Sequence, residues 1–188
     1  MRLRVISGGI LMIFCLAGSL IFARPGGERK AKYIGAEMCI SCHRADSLGN
    51  QFRRWLGTSH SRSWVMLQGK EAKKLAREMG IEDPQKSPLC LKCHAPAFRD
   101  TSLWCKTFHP EDGVQCEACH GPGSIHAEFM RKQMEVGKGK MSEEAMLPKP
   151  SGGEKFCLTC HQRAPHPMGE FCYKKAWKRI CHPLPKGK

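Results

Sequence analysis

The alternation of apolar and polar positions predicts a mainly helical chain. Apolar residues recur at helical spacing between Leu48 and Leu56, and Gly57 can end that helix. Two more helices are predicted, from about Ser61 to Met79 and over Phe171–Ile180. The segments between these helices are rich in glycine and proline, which favour turns and loops. The predicted fold class is therefore mainly α with extensive loops.

The N-terminal segment has a different pattern, because Val5–Ala23 is apolar and carries no charge. Arg2 and Arg4 precede it, as in an export signal, and Ala23 is a candidate for the last residue before cleavage. The segment is also barely long enough to span a bilayer. Residues 1–23 are therefore predicted to be a signal peptide or an N-terminal membrane anchor. Either would take residues 24–188 out of the cytoplasm.

Composition indicates one domain with a thin apolar core. The chain has 188 residues, of which 41% are hydrophobic and only 7% aromatic, while glycine and proline number 19 and 12. It is too apolar to be disordered and too short for several large domains. Twelve cysteines and nine histidines indicate that disulfides, metals or cofactors add to a small core.

Four C-x-x-C-H motifs explain most of these cysteines. Each motif offers two thiols on one helical turn for thioether bonds to a haem, and an imidazole next to them for the iron. Chance would give about 0.04 such motifs in a chain of this composition. Zinc is the alternative, but zinc sites do not need a histidine after every second cysteine. The predicted attachment residues are Cys39, Cys42, Cys90, Cys93, Cys116, Cys119, Cys157 and Cys160, with proximal ligands His43, His94, His120 and His161.

These motifs predict four covalently bound c-type haems, so that residues 24–188 form one tetrahaem cytochrome c domain organised around them. Five histidines remain for the opposite faces of the irons. We expect His60, His126 and His182 to be distal ligands. His109 and His166 each precede a proline in a predicted loop, which favours a surface position. If neither binds, one iron has an open position or a methionine ligand.

Several segments resemble the tetrahaem cytochrome c-554 family. The closest match is the run Gly113–Ser124, which is similar to the family's G-V-x-C-E-x-C-H-G-P-G segment. The entry segment Tyr33–Met38, the Trp55 to His60 region and the stretch Cys157–Pro183 also resemble that family. The resemblance covers roughly residues 33–183, with generic stretches within it.

The resemblance implies a mainly helical fold with closely stacked haem pairs that carries electrons in the periplasm. It also implies three bis-histidine haems, with His60, His126 and His182 as distal ligands, and a five-coordinate haem at the second motif. The pairing of His126 with the first haem is the one we prefer. This chain is shorter than the family pattern and has three extra cysteines, so the family's redox partner does not transfer.

Four cysteines lie outside the motifs. Cys15 falls within the apolar N-terminal segment, and the other three are Cys105, Cys172 and Cys181. If one helix joins Cys172 to Cys181, they stand about 13.5 Å apart along its axis, beyond disulfide reach. We therefore expect Cys105 to pair with one of them, or none of the three to pair.

The charge of the chain is strongly positive, at +14. Without residues 1–23 it is two charges lower, and the propionates of four haems would bring it to about +4 to +8, depending on the oxidation state of the irons. The basic stretch Arg131–Gly153 is interpreted as a solvated loop. Nucleic acid is not an expected partner outside the cytoplasm.

The predicted function is a periplasmic electron carrier, not an enzyme, that exchanges electrons with redox partner proteins. One alternative is a small haem reductase that acts on nitric oxide, nitrite or hydroxylamine at the open haem. Such an enzyme needs a cation and a proton donor near the iron, for which Lys92, Arg99, Asp100 and His109 are candidates. Another is a subunit that associates with the inner membrane through its N-terminus and serves a quinol complex.

Overall fold

The structure is a computed structural model that describes residues 29–136, 142–147, 153–166 and 169–182. Within these ranges the regular structure is helical, and the extended pairing is a single parallel bridge between Tyr33 and Trp104. The prediction of a mainly helical chain with extensive loops is confirmed. The predicted signal peptide or anchor, residues 1–23, lies outside the described ranges. In the described part, no helix has the length and apolar character that crossing a membrane requires.

The α-helices are short, and several of the connections between them contain short turns of 3₁₀-helix. The α-helices are α1 (Ala36–His43), α2 (Gln51–Leu56), α3 (Ser63–Met66), α4 (Lys70–Glu78), α5 (Pro88–His94), α6 (Cys116–His120), α7 (Ser124–Val136), α8 (Gly153–His161) and α9 (Tyr173–Ile180). The 3₁₀ turns are Asp46–Leu48, His60–Arg62, Pro96–Arg99, Thr101–Leu103, Pro110–Asp112 and Glu143–Ala145.

Each C-x-x-C-H motif forms the last turn of a helix. Helices α1, α5, α6 and α8 end at His43, His94, His120 and His161, respectively. The two cysteines of a motif are three positions apart, so they lie on the same face of that turn. The histidine follows at the helix end, from which the chain turns away.

The prediction of one helix from Ser61 to Met79 is wrong. The segment is divided into α3 and α4, with Gly69 in an extended conformation (φ −65°, ψ 155°) before α4. The earlier helix begins later than predicted, because Gly49 and Asn50 both adopt left-handed conformations (φ 99° and 46°) and α2 starts only at Gln51. Apolar spacing continues through such breaks, so periodicity alone could not reveal them.

The interpretation of Arg131–Gly153 as a solvated loop is wrong in part. Helix α7 extends through its first residues to Val136. Further on, the Glu143–Ala145 turn packs against α7, and Ala145 is only 1% exposed. Residues 137–141 and 148–152 of this stretch lie outside the described ranges. The segment thus contributes a buried residue to the fold.

The apolar core of the described residues is small, as the composition predicts. Leu67, Leu91 and Ala95 form its main cluster, against which Trp64 and Cys90 pack. Among the described residues, no large side chain is less than 2% exposed. Ten large apolar side chains are instead exposed, including Leu56, Val65 and Met66.

Buried polar contacts fasten the entry segment to the third motif. The carboxylate of Glu117, only 3% exposed, accepts hydrogen bonds from the backbone N–H groups of Ile34 (2.9 Å), Gly35 (2.8 Å) and Gly123 (2.7 Å). Gln115 Oε1 accepts another from the N–H of Ala36 at 2.7 Å. Helix α1, with the first motif, is thereby held against α6, with the third.

Candidate haem sites

Three of the four motif histidines face a second imidazole. The ring centroids are 6.3 Å apart for His43 and His126, 6.1 Å for His60 and His161, and 5.8 Å for His120 and His182. Each pair joins the end of a motif helix to a histidine far away in the chain. The structure thus places all three predicted distal histidines opposite motif histidines, with His126 opposite His43.

The spacing of these pairs fits a bis-histidine haem. With a metal–nitrogen bond of about 2 Å on each side and about 1 Å more to each ring centre, two imidazoles on opposite faces of one iron have centroids about 6 Å apart. The observed distances of 5.8–6.3 Å lie around this value. Two rings in direct stacking contact would approach more closely, as His161 and Phe171 do at 4.4 Å.

Hydrogen bonds at Nδ1 orient several of these imidazoles. His43 Nδ1 donates to Gln51 Oε1 at 3.3 Å, and His126 Nδ1 donates to the carbonyl oxygen of Ala145 at 3.1 Å. His94 Nδ1 donates to the carbonyl oxygen of Ser63 at 2.7 Å. A bond at Nδ1 fixes the tautomer and leaves Nε2 for a metal, as is usual for ligating histidines.

Burial favours the neutral imidazole in the pair formed by His60 and His161. Burial lowers the pKa of His60 below its ordinary value, and the neighbouring His161 lowers it further. Burial also lowers the pKa of His161. The neutral form is the one that donates a nitrogen lone pair to iron.

His94 of the second motif stands outside these three pairs. Its helix α5 packs against α3 and the Pro96–Arg99 turn, beside the apolar cluster around Leu91. The hydroxyl of Ser63 lies 2.8 Å from the carbonyl oxygen of His94, in addition to the bond from His94 Nδ1 to the Ser63 carbonyl. Ser63 therefore contacts the second motif twice.

The thiols of different motifs approach one another, and these cysteines are half-buried. Cys39 of the first motif lies close to Cys116 of the third; this interaction and burial raise the pKa of the Cys39 thiol, while the interaction lowers the pKa of Cys116. Cys93 of the second motif contacts Cys160 of the fourth, and burial with this contact raises its pKa to about 11.

Cysteines of the third and fourth motifs also lie near one another. Burial raises the pKa of Cys119 to about 11, and the nearby Cys157 adds to the shift. The successive contacts therefore connect the motifs in the order first, third, fourth, second.

The other candidate residues differ in their exposure. His109 is exposed, and its carbonyl oxygen accepts a hydrogen bond from Gln115 Nε2 at 2.6 Å. Asp100 is exposed and caps the following turn by accepting from the Ser102 N–H at 3.2 Å. Arg99 is exposed, whereas Lys92 and His166 are half-buried.

The extra cysteines form no disulfide in the described ranges. Cys105, Cys172 and Cys181 are all free thiols, and Cys172 and Cys181 flank the two ends of α9. The described residues also contain no group of three or more histidine, cysteine or acidic side chains arranged for a bare metal ion, so the zinc alternative finds no site among them.

Sequence reasoning missed the residues that support the candidate ligands. Ser63, Gln51 and Ala145 hold His94, His43 and His126, and two of them do so through backbone carbonyl oxygens. A carbonyl oxygen is present in every residue, so it leaves no sequence signal. Glu117 was visible only as part of a family-like segment, and its buried contacts depend on the fold.

Comparisons with known proteins agree with this geometry. Residues 38–121, which contain the first three motifs, match the family described as "Cytochrome c554 and c-prime". The chain is 29% identical over 166 residues to cytochrome c-554 of Nitrosomonas europaea, with 80% of this chain and 68% of that protein covered. No solved structure matches this chain. Both matches support the resemblance of this chain to the cytochrome c-554 family of c-type cytochromes.

Proposed function

We propose that this protein is a periplasmic tetrahaem cytochrome that carries electrons between redox partner proteins. The observation that carries the proposal is the set of three imidazole pairs, each 5.8–6.3 Å apart and each made of one motif histidine and one distant histidine. This spacing suits iron between the rings. A bound haem would supply an iron that takes up and releases one electron.

The residues divide into four sets that would hold the haems. Cys39, Cys42, His43 and His126 would hold the first; Cys90, Cys93 and His94 the second; Cys116, Cys119, His120 and His182 the third; and Cys157, Cys160, His161 and His60 the fourth. Three sets offer two imidazoles, and the second offers one. The bis-histidine sets favour lower reduction potentials than a Met/His set would.

The contacts between motif cysteines support a linear order of the four sites. Cys39 meets Cys116, Cys119 lies near Cys157, and Cys160 meets Cys93. Electrons would therefore pass between neighbours in the order first, third, fourth, second. The first and second sites form the two ends of this row.

Export supports the periplasmic part of the proposal. The uncharged segment Val5–Ala23 follows two arginines, as in a secretory signal. Unligated thiols tend to oxidise outside the cytoplasm. Covalent attachment to haem would keep the paired cysteines from doing so, which suits that compartment. Whether residues 1–23 are removed or remain as an anchor can be read from the N-terminal sequence of the exported protein.

A cationic groove offers a docking place for an acidic redox partner. Arg53 and Arg54 of α2 and Arg179 of α9 line it, and all three side chains are exposed. Among the described residues, the ion pairs involve other side chains. The groove also contains Ser59, next to His60, and Arg179 is three residues from His182. A partner held there by its carboxylates would stand close to the third and fourth sites.

Intact mass and electron paramagnetic resonance (EPR) of the matured protein test the proposal. We expect a mass increase of four haems, three low-spin signals from the imidazole pairs, and a separate signal from the site of His94. Replacing both cysteines of one motif by serine should remove one haem from the mass. A mass increase of fewer than four haems, or the absence of low-spin signals, would overturn the proposal.

A reductase is the second candidate function, and the position of His94 outside the imidazole pairs favours it. An open iron there would accept nitric oxide, nitrite or hydroxylamine. Adding nitric oxide to the reduced protein should then give an iron–nitrosyl EPR signal from one haem, and turnover assays with the three compounds would establish catalysis. Four low-spin haems that bind no nitric oxide would exclude this function.

A further inference from the structure

One buried serine contacts the ligand segments of two different haem sites. Ser63 is 8% exposed and begins α3. Its hydroxyl oxygen lies 2.8 Å from the carbonyl oxygen of His60 and 2.8 Å from that of His94, so its proton can be donated to either. His60 belongs to the fourth site and His94 to the second.

The backbone of Ser63 adds a direct contact to the imidazole of His94. Its carbonyl oxygen accepts the hydrogen bond from His94 Nδ1 at 2.7 Å. A carbonyl at this nitrogen orients a ligating ring and makes the opposite nitrogen a stronger donor to the metal. The position of Ser63 thus controls both the orientation and the basicity of His94.

The segment before the third motif closes the same junction. The N–H of Val114 donates to Ser63 Oγ at 2.9 Å and to the carbonyl oxygen of His60 at 3.0 Å. Gly113 precedes it with φ 76°, and a Cβ there would overlap Ser63 Oγ and lie 2.6 Å from the His60 carbonyl oxygen. The close approach therefore requires glycine at this position.

We propose that Ser63 is a positioning residue that couples the axial ligands of the second and fourth haems. The hydroxyl holds the carbonyls of His60 and His94 at fixed distances, and the Ser63 carbonyl holds the His94 ring. A change at Ser63 therefore alters two haems together while leaving the first haem, with ligands His43 and His126, as it is. This inference rests on the proposed four-haem function.

The test compares Ser63→Ala with the wild-type holoprotein by potentiometric titration and EPR. We expect the midpoint potentials and EPR signals of the second and fourth haems to shift together, with those of the first haem unchanged. A merely structural loss of stability would not select these two haems. Ser63→Thr keeps the hydroxyl and should restore both potentials towards their wild-type values.

Two further variants cover the case in which Ser63→Ala does not mature. Gly113→Ala keeps the serine but pushes it from His60, and the same two haems should shift. Ser61→Ala is the matched control, because the Ser61 hydroxyl bonds to the carbonyls of Leu56 and Thr58, and it should shift none.

Two different failures are distinguishable in this experiment. A wild-type mass with fewer than four haems contradicts the proposed function itself. Four attached haems, together with Ser63 and Gly113 variants that shift neither haem or only one of the two, overturn the coupling proposal.

Discussion

At the residue scale, the histidines of the described residues divide by their surroundings. Three motif histidines face an imidazole at 5.8–6.3 Å, His94 instead has Ser63 as its neighbour, and His109 is exposed in a turn. The difference arises from the fold, because all these residues have the same side chain. It determines which histidines are expected to control the spin state of an iron.

Replacing His126 by alanine should convert one low-spin haem to high spin. The first iron would keep His43 but lose the imidazole opposite it. EPR of the oxidised protein measures the change, and His109→Ala, in an exposed turn, is the matched control. A His126→Ala protein with an unchanged low-spin signal for every bis-histidine haem would show that His126 is not a ligand.

Glu117 should contribute strongly to stability. Its replacement by alanine leaves the buried N–H groups of Ile34, Gly35 and Gly123 without their acceptor, and we expect a loss of about 3 kcal/mol or more in the free energy of unfolding. Guanidinium unfolding of the holoprotein, followed by tryptophan fluorescence, measures it. Glu128→Ala, at a surface ion pair with Arg29 and Lys132, should leave the midpoint unchanged. Equal midpoints for both variants would contradict the expectation.

At the scale of elements, the short helices serve to present motifs and ligands. Helices α1, α5, α6 and α8 each end at a motif histidine. Helix α7 begins just after the third motif and carries His126, while α9 is followed by His182. The apolar core of the described residues is small. The turns that hydrogen-bond to candidate ligands therefore contribute to the fold alongside the helices.

Overpacking the Glu143–Ala145 turn should disturb the first haem selectively. Ala145 is 1% exposed and its carbonyl oxygen accepts from His126 Nδ1, so Ala145→Leu would displace the turn at a cost of about 1–3 kcal/mol. We expect a changed EPR signal for the first haem and unchanged signals for the others. Met146→Leu alters the exposed neighbouring residue and should change none. A shift of all haems alike, or of none, would refute a local role for this turn.

The helical elements could be predicted only in part. The motif turns and α9 were accessible because their spacing is local. The break before α4 could not be predicted, because apolar spacing persists across it. Gly69 adopts an ordinary negative φ (−65°) there, so the break does not depend on a conformation that requires glycine. The burial of Ala145 depends on contact with α7, and no local pattern reveals such a contact.

At the scale of the whole molecule, the order of the motifs in space differs from their order in the chain. The thiol contacts bring the first motif to the third and the second to the fourth. The four motifs could be identified from the sequence, because C-x-x-C-H is a local chemical signature. Their spatial order could not, since it depends on long-range pairs such as Cys39 with Cys116.

The groove lined by Arg53, Arg54 and Arg179 should set the charge preference of electron exchange. In the double variant Arg53→Gln/Arg54→Gln, we expect slower reaction with anionic hexacyanoferrate and no slowing with cationic hexaammineruthenium, because the local positive potential falls. Stopped-flow absorbance at low ionic strength measures both rates. Lys70→Gln/Lys74→Gln removes the same charge from exposed positions of α4 and is the control. Equal effects of the two double variants would locate the preference in net charge instead of the groove.

The contact between Cys39 and Cys116 has a consequence for biogenesis. These thiols belong to different motifs, and they lie close enough to shift each other's pKa, as Cys160 does for Cys93. A chain that reached this fold in an oxidising compartment with bare thiols would be set to cross-link its motifs. Such bridges would consume the sulfur atoms that haem attachment needs. If haem attachment proceeds as proposed, we therefore expect the thiols to be kept reduced and joined to haem before the motifs close on one another.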